Sequence, residues 1–154
     1  MSTPKAPPLA LNFNDLLKAS PIRTAFSTFR GLFGLELIVT SRDELEAANL
    51  AAQTQVLNRD SGAFEKQFDD EKFRAWLATR VASFKDLTIK QALTLCGRAL
   101  PADLTPRAND PLTCEPETVS TLLNKVVGLQ QWLINELGTI AIEAARQDRA
   151  SQEN

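Results

Sequence analysis

Hydrophobic positions along this chain recur mostly at three- and four-residue spacing, the pattern of helices that bury one stripe. The clearest case is the C-terminal third. Val119, Val126, Leu133 and Ile140 recur every seven residues, and Leu123, Gln130, Leu137 and Ala144 each follow four positions behind one of them. This alternation of four and three is the spacing of left-handed helix pairing. Leu122, Leu129 and Trp132 make a second stripe, and Val127, Ile134 and Ala141 lie elsewhere around the cylinder. A helix apolar on more than one side must be buried on more than one side. Pro116 suits a first helical turn, so one long helix is predicted over 116–149. It is either the central helix of a monomeric bundle, or it packs one stripe on its own domain and the other on a second chain. In the second case Leu123, Val126, Gln130, Leu133, Leu137 and Ile140 form the partner-binding surface. Gln130 would then fix the register.

The remaining pattern predicts shorter elements. Asn14 or Asp15 is placed to cap a short helix that Pro21 interrupts. Ile22, Ala25, Phe26 and Phe29 then share a helical face up to the glycines at 31 and 34. GLELIVTS alternates Leu35, Leu37 and Val39 and is the one predicted strand. A single strand is not stable alone, so it must pair within the chain or with another one, or run as a buried linker. SRDE at 41–44 is a capping box opening a helix to about Asn58, with Leu45, Ala48, Ala52 and Val56 on one stripe. NRDSGAF breaks that pattern. Asp69 or Asp70 caps DDEKFRAWLATRVASF, whose apolar face is Phe73, Trp76, Leu77, Val81 and Phe84 with Arg80 on its border. TIKQ at 88–91 opens another helix, which Pro101 closes. The expected fold is mainly α: a bundle of about five helices with one short strand. It comprises an extended proline-rich arm over 1–13, a single helical domain over 14–149 with an elbow at 101–115, and a disordered polar tail over 150–154.

Composition narrows the function. At 154 residues, 44% hydrophobic and 23% charged, the chain matches one ordinary globular domain and not a disordered polypeptide. A net charge of −2 gives no general attraction to nucleic acid or anionic lipid. Residues 41–72 hold eight acids against four bases, and 73–110 hold six bases against three acids. Arg74, Lys85, Lys90, Arg98 and Arg107 are the candidate basic face, although scattered cations usually mark a solvated surface. Gln130, Gln131, Asn135, Glu136 and Glu143 interrupt the apolar C-terminal run, so no membrane span is expected there. The N-terminus lacks the charged start and apolar run of a signal peptide. Two isolated cysteines do not make a disulfide framework, and a reducing, cytoplasmic setting is expected.

Catalytic material is sparse. The chain has no histidine and no tyrosine, and it has no GxSxG, HExxH or Walker-type motif. Cys96 reads as a small buried hydrophobe, and Cys114, just before a helix start, is placed for a mildly lowered pKa. Glu65, Asp69, Asp70 and Glu71 lack the spacing of a calcium loop and suit a helix N-terminus instead. No catalytic residue, metal or cofactor is expected.

The order LELIVTSRDELEAANLAAQ, then FRAWLATRV, then VVGLQQWL resembles the bacteriophage tail-assembly chaperones over residues 35–135. That resemblance implies a small helical protein, in the host cytoplasm, that binds a tape-measure or tail-tube protein and does no chemistry itself. It carries across no site residues. The expected function is therefore a non-enzymatic protein–protein interaction protein, with a possible homo-oligomer through the C-terminal helix. The alternatives are a structural accessory of a virion or other large assembly, and a nucleic-acid-associated helical module.

Overall fold

The computed structural model describes residues 12–153. Pro4, Pro7, Pro8, Leu9 and Leu11 of the N-terminal arm lie outside the described residues. Helix α1 (Phe13–Ala19) begins on Asn12, whose side chain accepts from the Asn14 N–H at 2.9 Å, and it ends before Pro21. Strands β1 (Thr24–Phe29) and β2 (Phe33–Ile38) form an antiparallel hairpin. Arg30 and Gly31 both take positive φ in its turn, and the Leu32 N–H reaches the Phe29 carbonyl at 2.8 Å. This is the backbone twist that tight hairpins need. Helix α2 (Arg42–Ala51) has the capping box complete: Ser41 accepts from the Glu44 N–H, and the Glu44 carboxylate accepts from the Ser41 N–H.

Next come β3 (Gln53–Leu57) and β4 (Phe64–Phe68), a second antiparallel hairpin. Asp69 caps α3 (Asp70–Ala78), and β5 (Val81–Lys85) follows within three residues. Thr88 caps α4 (Ile89–Leu95), and a 3-10 turn spans Ala102–Arg107. The chain closes with α5 (Pro116–Lys125) and α6 (Leu129–Glu153). β5 pairs antiparallel with β2, giving a three-stranded sheet in the order β1-β2-β5, while β3-β4 stands as a separate two-stranded sheet.

The expectation of a mainly α bundle with one strand is thus overturned. Of the described residues 52% are helical and 20% lie in strands, with two antiparallel sheets, which makes the fold mixed α/β. Three segments expected to be helical are strands. In TAFSTF the residues Ala25, Ser27 and Phe29 alternate toward the core, and the helical spacing of Ile22, Ala25, Phe26 and Phe29 is not used. The helix expected to reach Asn58 stops at Ala51, and the one expected to reach Phe84 stops at Ala78. The strand expected in GLELIVTS is β2, which ends at Ile38 and pairs within the chain on both of its edges.

The predicted 116–149 helix is two helices. Val126 caps α5 in an extended conformation, and Gly128 takes φ +82 before α6 begins. The α6 helix continues to Glu153, through most of the segment expected to be a tail. Phe33, Leu35 and Leu37 of β2 and Phe29 of β1 face Phe73 and Leu77 of α3, Leu122 and Leu123 of α5, and Leu129, Leu133 and Leu137 of α6. The core therefore lies between one face of the three-stranded sheet and the helices α3, α5 and α6.

Candidate protein-binding surface

The six residues expected to bind a partner do not form an open surface. Leu133 and Leu137 are 0% exposed, and Leu123 and Val126 are also buried in this chain's own core. Ile140 is half-buried and packs against the same core. Gln130 lies at the α3–α6 contact, where its carbonyl accepts from Arg74 Nε at 3.2 Å and its amide donates to Asp70 at 3.2 Å. Arg74 closes the group with a 2.8 Å ion pair to Asp70. The polar residue in the seam thus bridges two helices of one chain. α6 touches α2, α3, α5 and β1, so its several apolar sides are met from within. Its second stripe behaves the same way: Trp132 packs edge-on against Phe29, with ring centroids 5.4 Å apart.

Uncovered apolar side chains lie elsewhere, at Phe13, Leu17, Ile22 and Phe26 near the start of the described chain and on the β3–β4 hairpin. Every residue of both strands is exposed. The register sets Gln53 opposite Phe68, Gln55 opposite Lys66 and Leu57 opposite Phe64. Side chains alternate across a strand, so these six share one face, and Thr54, Val56, Glu65 and Gln67 share the other. The first face carries Leu57, Phe64 and Phe68, and Phe64 is 70% exposed. Phe68 is anchored at the base by Phe73, with ring centroids 5.4 Å apart, and buried Ala52 closes the same end. At the tip, the Asn58 carbonyl accepts from the Gly62 N–H at 2.8 Å, and Gly62 takes φ +69. The Asn58 side chain accepts from the Asp60 N–H at 2.9 Å and donates to Glu65 at 2.8 Å.

The hairpin's free edges follow from its ladder. The Asp69 N–H donates to the Ala52 carbonyl at 2.7 Å, and the Asn58 N–H donates to the Ala63 carbonyl at 2.9 Å. Hydrogen-bonded and non-hydrogen-bonded pairs alternate in an antiparallel ladder. Residues 52, 54, 56 and 58 therefore turn their backbone groups toward β4. Gln53, Gln55 and Leu57 turn theirs outward, as do Phe64, Lys66 and Phe68 on the other side. Among the described residues no strand pairs with either edge.

The remaining candidates for chemistry are accounted for locally. Burial pushes the Cys114 thiol up, opposite to the lowering expected from its place before a helix, and its Sγ lies 3.8 Å from the Val81 carbonyl. Among the described residues no group of three or more Cys, Asp or Glu side chains is placed to hold a metal. The candidate basic residues sit on separate elements, with Arg74 paired to Asp70 and Arg107 to Asp110. A cleft of about 720 Å³ between α2 and the end of α6 is lined by Arg23, Arg42, Arg146 and Arg149. Three of these arginines already have carboxylate partners, Asp148, Glu46 and Glu143. None of the described helices is long and apolar enough to cross a membrane. No protein-family model matches the chain, and no curated protein and no solved structure is detectably similar to it.

Proposed function

We propose that this chain is a non-enzymatic binding protein that engages a protein partner through the apolar face of the β3–β4 hairpin. The observation that carries this is the exposure of Leu57, Phe64 and Phe68 on one face of an arm that meets its own body at its base. A two-stranded hairpin is marginal by itself in water, so a protein that keeps an apolar one in the open gains from covering it. In the form suggested by the sequence resemblance, the partner is a subunit of a larger particle, held before assembly.

Fully burying one Phe or Leu side chain contributes about 1.5–3 kcal/mol before the costs of association. Phe64→Asp removes such a contact and adds a charge, so it should weaken partner binding by at least about tenfold. The fold should stay within about 0.5 kcal/mol of wild type, because Phe64 is a surface residue away from the core. The test is affinity capture from the native source with wild type and the Phe64→Asp and Leu57→Asp variants, followed by mass spectrometry. Equal recovery of the same partner by all three would rule out the hairpin face.

A further inference from the structure

We infer that the free edge of β3 pairs with the β3 edge of a second copy of this chain, joining two hairpins into a four-stranded antiparallel sheet across a two-fold axis. The inference rests on the hairpin being an interaction element, and it names the occupant of one edge.

Among the described residues nothing pairs with the N–H and C=O that Gln53, Gln55 and Leu57 each present on the β3 edge. A two-fold axis through Gln55 sets Gln55 against Gln55 of the second copy, and Gln53 against Leu57 of the second copy. An antiparallel ladder makes two hydrogen bonds at each such pair. All the outward groups of both strands are then satisfied, with none left over.

Charge separates the two edges. The β3 sequence, QTQVL, has no charged residue and no proline, so it lacks the usual devices that keep an edge strand from pairing. The β4 sequence, FEKQF, carries the charged residues Glu65 and Lys66. A two-fold pairing that used all the outward groups of β4 would set Lys66 directly opposite Lys66 of the second copy, and like charges directly opposite are destabilising. Pairing β3 of one copy with β4 of the next leaves a free β3 and a free β4 at the ends, and so adds copies without closing. Only β3 against β3 is both closed and free of like-charge contact.

The side chains agree. The joined sheet puts Leu57 and Phe64 of each copy in one row with Gln53 and Phe68 of the other, so the two apolar faces become one. Carried one step further, the register brings Arg59 in the tip of one copy to Ala51 at the end of α2 in the other. The last turn of α2 holds no basic residue, and a cation there is favourable beside the negative end of the helix dipole.

The experiment is light scattering after size exclusion on the full chain, with Gln55→Pro, Lys66→Pro and Gln55→Cys. Proline at 55 removes an outward N–H and blocks the β3 edge, while Thr54 and Val56 keep their bonds to β4. Proline at 66 does the same to the β4 edge. Wild type and Lys66→Pro should have twice the 16.9 kDa chain mass, and Gln55→Pro should have the single mass with unchanged circular dichroism. Gln55→Cys, with Cys96 and Cys114 replaced by serine, should form an interchain disulfide on mild oxidation. The expected Cα separation of about 5.5 Å at a hydrogen-bonded pair lies within disulfide range. This cross-link decides the matter if the proline variant fails to fold.

A wild-type chain that stays monomeric at every soluble concentration would overturn the inference. So would a dimer that survives Gln55→Pro, or one that gives no cross-link at position 55. Capture of another protein by a monomer, lost in Phe64→Asp, would overturn the second copy and leave the binding function standing. A β3-edge dimer whose partner capture ignores Phe64→Asp would do the reverse.

Discussion

Single residues show where local chemistry and tertiary context diverge. Gly128 and Gly138 look alike in the sequence, as weak points in one long helix. The structure gives them opposite roles. Gly128 takes φ +82 in the connection between α5 and α6, and an added Cβ would meet Arg30 Nη2 at 2.6 Å. Left-handed backbone costs an ordinary L-residue about 1–2 kcal/mol, so Gly128→Ala should destabilise by about that amount. Gly138 lies inside α6 with nothing within 4 Å of an added Cβ, so Gly138→Ala should stabilise by about 0.5–1 kcal/mol. Urea titration of the two variants checks both signs, and equal shifts would contradict the break at Gly128. Glu36 is a second such residue. It sits mid-strand in β2, where Ser83 donates to its carboxylate at 2.7 Å and Thr24 at 2.8 Å, and these bonds hold its pKa below the ordinary 4.5. A carboxyl with a lowered folded-state pKa contributes stability above its unfolded-state pKa, which is lost as pH falls through the folded-state value. Wild type should therefore exceed Glu36→Gln in urea midpoint at pH 7, and the difference should vanish on acidification well below 4.5. A difference that stays constant with pH would remove the charge from the explanation.

At the scale of elements, helix starts were legible and strands mostly were not. The Ser41, Asp69 and Thr88 caps and Pro116 are local signals, and each opens a helix. Helix ends were less clear, because the apolar spacing continues past them. Ala52 and Val56 extend the stripe of α2, yet Ala52 is the buried base of an arm and Val56 is out on it. Val81 and Phe84 extend the stripe of α3, yet they lie on β5. The β3–β4 hairpin had the weakest signal of all. Both of its faces are exposed, so burial imposes no alternation on QTQVL or FEKQF. What marks it is NRDSGA between them, with Gly62 at positive φ, flanked by residues that pair outward from Leu57 and Phe64. The β1 strand was missed, because Ile22, Ala25, Phe26 and Phe29 happen to fit a helix, although the aromatic and β-branched content of TAFSTF favours a strand. GLELIVTS stood out because β2 is the central strand, and its Phe33, Leu35 and Leu37 must all point into one core.

For the whole molecule, the C-terminal apolar seam was read correctly as a surface that must be covered, and the cover is the protein itself. Four of the six residues expected to meet a partner are buried among β1, β2, α3 and α5, while Val56, Leu57, Phe64 and Phe68 stand exposed on an arm whose sequence looks polar. Seam spacing specifies that a helix face is buried and does not specify by which chain. The two surfaces should therefore respond to mutation in opposite ways. Leu133 is fully buried near the start of α6, and Leu133→Ala should cost about 2–5 kcal/mol, a large share of a typical stability of about 5–15 kcal/mol. Leu133→Asp should leave no folded protein, since it buries a charge with no partner. Phe64→Ala, on the hairpin, should stay within about 0.5 kcal/mol of wild type. Urea midpoints for Leu133→Ala and Phe64→Ala, measured at a concentration where the chain is monomeric, separate core from surface. A small loss at Leu133 together with a large one at Phe64 would mean that the hairpin is part of the core and that α6 is the open face.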